Sequence, residues 1–328
     1  MKVCIQSGDT VYDFGADAAY RMIREAGFEG IDWNIDHSWK FSELRSAEKL
    51  EGLCIFEKSE EEILQYYKAE LDAIKKNGLE ISQAHAPMPA YDYRRPEILD
   101  YAIEIYEKII RFCAVVGCPN LIIHGVARNT NDKEMTPKTR AKLNAKLYES
   151  LIPTLREVDY VKVCLENCFS TDKGFGDIKY RCGYGCDPHS VAAEIDRLNE
   201  LAGLNCFGFC LDTGHLHLLR VAFEDFIPVL GNRIAALHIH DNSQSADSHL
   251  MPYAGSIDWG DFVKELKNIE YSGNLSFETF AQTWKKRLPE ALVPVFLETI
   301  AKTGKYFRQE ISCQKRAAPD FHEKNTRI

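Results

Sequence analysis

The feature that most constrains this chain is a regular alternation of short apolar, β-branched runs with longer amphipathic stretches. Strands are expected at 3–6, 28–36, 79–85, 120–124, 160–166, 207–212, 234–240 and 274–278. Helices are expected at 17–26, 57–76, 96–116, 137–158, 188–202, 223–231, 258–269 and 289–304. Gly27 closes the first helix and Asn77-Gly78 stops the second. Strand alternating with helix requires parallel pairing, because each strand must be carried back to the same end by a crossover. Eight such units of about 40 residues account for nearly all of the 328 residues. That count fits a single (β/α)8 TIM barrel rather than an open sheet of five or six strands. No G-x-G-x-x-G follows the first strand and no G-x-x-x-x-G-K-[ST] occurs, which argues against a nucleotide-binding fold. Residues 1–312 are read as the barrel, with a Gly-, Asp- and Lys-rich loop (169–187) inserted after strand five. Residues 313–328 are read as a polar C-terminal extension.

Composition supports one sizeable core: 45% of residues are hydrophobic and 27% charged, which excludes a disordered chain or a fibrous repeat. Forty Lys and Arg against 49 Asp and Glu leave a net charge of −9, which repels phosphate backbones, so nucleic acid is not the expected partner. The short basic clusters Arg94-Arg95 and Lys285-Lys286-Arg287 read as solvated faces. No stretch approaches the roughly 20 apolar residues that span a bilayer, so no membrane association is expected. The N-terminus has no apolar secretory centre, so a cytoplasmic location is expected. Eleven cysteines raise a metal or disulfide question. Cys164 with Cys168, and Cys206 with Cys210, lie along strands. Four strand residues span about 13 Å, too far for two sulfurs to share one ion. Cys182 and Cys186 bracket Gly-Tyr-Gly in a loop and are either a meeting pair or free thiols. The remaining cysteines read as small apolar core side chains.

The polar residues fall in phase with the strands. Successive apolar runs end at His85, His124, Glu166, Asp212 with His215, His238 with His240, and Glu278. Successive separations along 85, 124, 166, 212, 238 and 278 are 39, 42, 46, 26 and 40 residues, and the short one coincides with the shortest expected helix. In a parallel barrel all these positions land on the C-terminal rim, where barrel chemistry sits. Acids at the ends of buried strands are costly unless paired, hydrogen-bonded or bound to a cation. Two glutamates, one aspartate and one histidine form an oxygen-rich set suited to Mn²⁺, Mg²⁺ or Co²⁺, and further histidines favour Zn²⁺.

At these residues the chain resembles the xylose-isomerase-like barrel superfamily, which includes sugar isomerases, ketose 3-epimerases, inosose dehydratases and endonuclease IV. The segments that carry the resemblance are Leu165-Glu166-Asn167, Leu211-Asp212-Thr213-Gly214-His215 and His238-Ile239-His240-Asp241-Asn242. They continue with Asp247-Ser248-His249-Leu250-Met251-Pro252, Gly255-Ser256-Ile257-Asp258-Trp259 and Phe277-Glu278. The resemblance implies one divalent metal ion, manganese first among the candidates, held by Glu166, Asp212, His238 and Glu278. His238 rather than His240 takes the ligand position because the family ligand stands three residues before an acid, here Asp241. His240 is then a residue behind the metal or in contact with substrate. His215 and His249 fall where relatives contact substrate hydroxyls, and His85 and His124 join this substrate-binding set. In ketose 3-epimerases the position of His249 resembles an arginine, a departure that bears on the choice of sugar.

The chemistry implied is a metal-dependent sugar isomerase or epimerase, in which Glu166 and Glu278 remove and return a proton through a metal-stabilised enediolate. Trp33 is expected to cover the apolar face of the sugar, with core packing as its alternative. A sugar or inosose dehydratase shares the first step. A second reading is an endonuclease IV-like zinc phosphodiesterase acting on abasic DNA. Its trinuclear set maps onto His85, His124, Glu166, Asp212, His215, His238, Asp247, His249 and Glu278. Dimers are common among barrels of this type, so a homo-oligomer is an open expectation.

Overall fold

In a computed structural model of the chain, the strands are β1 (Val3–Gln6), β2 (Gly30–Asn34), β3 (Glu80–His85), β4 (Asn120–Ile122), β5 (Lys162–Glu166), β6 (Phe169–Asp172), β7 (Lys179–Cys182), β8 (Phe207–Asp212), β9 (Ile234–His238) and β10 (Leu275–Phe277). All but β6 and β7 form one parallel sheet of eight strands. The structure describes all residues except 36–43, 45, 89–90, 93, 127–135, 159, 173–178, 281–282, 284–287 and 314–328. The basic run Lys285-Lys286-Arg287 and nearly all of the expected C-terminal extension lie outside the described residues. The sheet closes on itself. β10 pairs with β1, and β9 meets β10 through the Ile239–Phe277 bridge, where Ile239 N–H donates to Ser276 O (2.9 Å) and Glu278 N–H to Ile239 O (3.0 Å). The fold is a (β/α)8 barrel, with the helices packed around it.

Local chemistry sets the helix ends. Ser59 and Glu62 form a reciprocal capping box at the start of the helix Glu60–Lys76, satisfying backbone donors that have no partner within the helix. Gly27, at φ 100°, ends the helix Ala16–Ala26 in a conformation that side chains with a Cβ rarely adopt. Where one helix was expected over 137–158 there are two, Pro137–Ser150 and Ile152–Val158. Pro153 explains the break, since it has no N–H to donate and its ring collides with the preceding turn. The last helix runs over Val293–Ser312 rather than stopping at Gly304. Gly304 is instead a close-packing position, where a Cβ would run into Val3 and Phe277.

Three elements were not anticipated. A helix at Gly8–Phe14 follows β1, and another at Thr213–Leu219 follows β8, capped by the Asp212 side chain. The loop after β5 contains an antiparallel hairpin of β6 with β7. Cys182 and Cys186 are joined as a disulfide, which decides between the two alternatives for that pair. Cys4, Cys54, Cys113, Cys118, Cys164, Cys168, Cys206 and Cys210 are buried thiols, in keeping with the small-apolar reading. Among the described residues no helix is long and apolar enough to cross a membrane. Arg95 ties loop segments together, because its guanidinium pairs with Glu97 and donates to the carbonyls of Leu44 and Ala47.

The alternation of β2 decides which side chains face the barrel interior. Asp32 points inward, where its Oδ2 meets Gln83 and His238. Trp33, one residue on, points outward against Tyr67 and Phe112 of the surrounding helices, and its indole N–H donates to Glu70 (2.8 Å). The expected sugar-covering role of Trp33 is therefore corrected to core packing.

Candidate metal centre at the C-terminal rim

The rim gathers its polar groups at the ends of β3, β4, β5, β8, β9 and β10. His238, at the end of β9, donates Nε2–H to Asp32 Oδ2 at 3.1 Å. This leaves its buried Nδ1 without a hydrogen-bond partner, 3.3 Å from Glu166 Oε1 and 3.6 Å from Glu278 Oε2. Asp212 lies against the same group, since Asp212, His238 and Glu278 each offer a donor atom within 4.8 Å of the others. Two glutamates and an aspartate gathered around the His238 imidazole fit a divalent cation, whose charge would offset the burial of three carboxylates. The four residues assigned as ligands by resemblance are thus brought together.

Second-layer bonds hold them. Asn167 clamps the backbone of Asp212 in both directions, with Nδ2–H donating to Asp212 O and Oδ1 accepting from Asp212 N–H, each at 2.8 Å. Asp212 Oδ1 accepts the backbone N–H of His215 (2.7 Å) as the cap of the short helix Thr213–Leu219. Asp241 binds the following loop through the N–H groups of Asn242, Tyr253, Gly255 and Ile257 and the indole of Trp259. That bonding accounts for the spacing between the His-Asp-Asn and Ile-Asp-Trp segments.

Two further groups adjoin the centre. His124 Nε2 stands 2.8 Å from Glu166 Oε2 and 2.9 Å from His85 Nε2, while His85 donates Nδ1–H to Ala86 O (2.7 Å). On the other side, His215 and His249 donate Nδ1–H to the carbonyls of Asn167 (2.8 Å) and Glu278 (3.0 Å). Their Nε2 atoms then turn to Asp247 Oδ2, at 3.5 and 3.1 Å. Both imidazoles are thus fixed through one nitrogen on a backbone carbonyl, with the other facing the shared acid Asp247.

The environments of the two glutamates differ. Burial pushes the Glu166 carboxyl up, but the imidazoles of His124 and His238 outweigh it and hold Glu166 well below the carboxylate range. Burial also raises Glu278, and there the neighbouring Asp212 and Glu166 charges add to it while His238 and His249 oppose, so it ends above its ordinary value. Burial pushes His85 down to about 4, with His124 adding to the effect.

The structure also separates residues that were grouped together. His240 is completely buried; its Nε2 lies 3.0 Å from Asp212 and its ring stacks on His249 at 4.0 Å. With no exposed edge it makes no substrate contact, which corrects that part of the expectation. His217 bonds Ser256 away from the centre. Asp32 and Asn167 were missed. Asp32 carried a usable signal, an acid within the apolar run Gly30-Ile31-Asp32-Trp33, but it is not at a strand end. Asn167 entered only as part of the Leu165-Glu166-Asn167 segment, with no role assigned to it.

Comparison with known proteins agrees with this architecture. A family model described as xylose isomerase-like TIM barrel matches residues 20–305. The chain is 27% identical to the uncharacterized protein y4fM of Sinorhizobium fredii over 280 residues, covering 82% of each chain. Among solved structures it is similar to a D-tagatose 3-epimerase-like protein, with a TM-score of 0.64 at 19% identity, covering 95% of this chain and 100% of that one. It is likewise similar to a putative xylose isomerase from Rhodospirillum rubrum, with a TM-score of 0.70 at 13% identity, covering 93% and 99%. With a match that spans most of its length, this chain belongs to the xylose isomerase-like TIM barrel family.

Proposed function

We propose that the protein is a divalent-metal-dependent sugar isomerase or epimerase whose ion is held by Glu166, Asp212, His238 and Glu278. The observation that carries the reading is the buried, unpartnered Nδ1 of His238 facing Glu166 and Glu278. A bound divalent ion supplies polarisation of a substrate carbonyl oxygen and so acidifies the adjacent C–H. Glu166, held ionised by His124 and His238, is suited to accept that proton. Glu278, raised by burial and by its acidic neighbours, takes a proton more readily than Glu166 and is suited to return it. Two carboxyls whose environments push their affinities for a proton apart make an acid–base pair. His215 and His249, anchored through Nδ1 and facing Asp247 through Nε2, stand beside the centre, where their ring edges would meet the hydroxyls of a small sugar. The D-tagatose 3-epimerase-like neighbour supports a ketose as the first substrate class to test.

The test is incubation of the manganese-loaded protein with a panel of ketoses in heavy water, read by loss of the exchanging C–H signal and by product identity. Deuterium incorporation with an epimeric or isomeric product is the expected result, whereas loss of water marks a dehydratase. Glu278→Gln, assayed at manganese concentrations that saturate the variant, should lower turnover by about 10²–10⁴-fold. Undiminished turnover in that variant would exclude the proton-transfer role.

One observation favours a second reading. The His85–His124–Glu166 group and the His215 and His249 imidazoles facing Asp247 flank the central set, and one ion held by the central four residues leaves them unused. Three zinc ions in this arrangement would suit phosphodiester hydrolysis at abasic DNA. Elemental analysis separates the readings: one ion per chain supports sugar chemistry, and close to three zinc ions with cleavage of an abasic duplex supports the hydrolase.

A further inference from the structure

The segments 212–215 and 238–242 are zipped together by contacts that converge on one imidazole. Thr213 Oγ1 donates to His240 O (2.7 Å) and accepts His240 N–H (3.0 Å), and Asn242 Nδ2–H donates to Gly214 O (2.9 Å). These bonds fix the register so that the His240 ring lies where a side chain at position 214 would begin. A Cβ on Gly214 would overlap the ring at Cε1, Nδ1 and Nε2. Gly214 has no left-handed φ, so space for the ring, rather than backbone freedom, is what calls for glycine there.

The ring is held on its other sides as well. His249 stacks on it at 4.0 Å with an interplanar angle of 17°. Nδ1 is buried and has no hydrogen-bond partner, while Nε2 lies 3.0 Å from both carboxylate oxygens of Asp212. An orphaned buried lone pair is better tolerated than an orphaned N–H, which assigns the proton to Nε2, donated to Asp212. Asp212 is fully buried and is one of the four residues around the central point.

We propose that His240 and Gly214 form one positioning device, in which the glycine admits the imidazole and the imidazole holds the Asp212 carboxylate toward the metal. This inference rests on the metal reading given above. Neither residue touches substrate, so the effect is on ion binding.

The experiment titrates manganese(II) by calorimetry into the chelator-dialysed full chain and into His240→Leu, His240→Gln, Gly214→Ala and the His240→Leu/Gly214→Ala double variant. Near-UV circular dichroism reports the fold of each. His240→Leu and Gly214→Ala should each weaken manganese binding by about 10–100-fold, the range for loss of a ligand's hydrogen-bonding partner. The double variant should be no weaker than the worse single one, because both changes remove the same contact. His240→Gln, which keeps an N–H at similar reach, should recover most of the affinity. Unchanged affinity in folded His240→Leu, or equal losses in the Leu and Gln variants, would overturn the positioning role. Gly214→Ala supplies the same comparison where His240→Leu does not fold. If the unaltered chain takes up no manganese or zinc, the metal reading itself fails, a result distinct from uptake that the variants leave unchanged.

Discussion

Asp32 Oδ2 accepts the Nε2–H of His238 at 3.1 Å, joining residues 206 positions apart across the barrel interior, and the same oxygen accepts Gln83 Nε2–H at 2.7 Å. The bond determines which nitrogen of His238 carries the proton and therefore which lone pair faces Glu166 and Glu278. Replacing Asp32 with alanine removes that control. Asp32→Ala should weaken manganese binding about 10–100-fold, with a smaller loss in Asp32→Asn, whose amide oxygen still accepts from His238. Calorimetric titration measures it. Full affinity in folded Asp32→Ala would show that His238 is not a ligand through Nδ1.

Glu166, Asp212 and Glu278 surround His238, and a cation there would relieve the repulsion among their carboxylates. Chelation should lower the thermal midpoint, and ion at 100 times its dissociation constant should restore about 2.7 kcal/mol. Glu278→Gln in the metal-free chain should be at least as stable as the unaltered chain, because it removes one of the repelling charges while keeping the volume. Scanning calorimetry with and without manganese checks both. A metal-free Glu278→Gln variant that is markedly less stable would argue against unrelieved repulsion at this point.

Trp33 packs between Tyr67 and Phe112, with centroids at 5.2 and 5.7 Å, and faces away from the rim. Trp33→Ala should cost about 3–5 kcal/mol, as large core truncations do. KM for an accepted sugar should not change at temperatures where the variant stays folded. Denaturant unfolding and steady-state kinetics read the two quantities separately. A raised KM with stability intact would return Trp33 to the substrate site.

His85 binds its proton only near pH 4 in the fold, because burial and the adjacent His124 disfavour its charged form. The unfolded chain binds it near pH 6.5. Between those values the unfolded state carries more protons at this position, so its contribution makes the fold less stable as pH falls from 6.5 toward 4. The difference in stability between the metal-free chain and its His85→Asn variant should therefore change across this window in favour of the variant as pH falls. Urea unfolding at pH 7, 6 and 5 measures it. Parallel curves would show that His85 titrates normally.

Much of the architecture was legible because it is written locally. Apolar runs of strand length alternate with amphipathic helices, and that order leaves only a parallel barrel for eight units. Pro188–Ala202 and Phe207–Asp212 agree with the sequence expectation at both ends. The four residues around the central point were legible for a related reason: strands of one direction bring their ends to one rim, and an acid ending a buried strand needs a counter-charge. Strand ends were read too long at His124 and His240, since the apolar run continues past the regular ladder onto the rim.

What the sequence determined by itself was the set of units, their direction, and the rim on which their polar ends meet, all of which follow from periodicity and charge placement. Only the tertiary structure decided that Asp32 rather than Trp33 faces inward, that His240 is sealed behind Asp212, and that Cys182 pairs with Cys186. Those outcomes depend on the register at which the barrel closes. A shift of one residue in a strand exchanges its two faces, and no local pattern within β2 or β9 states which face its distant neighbours will require.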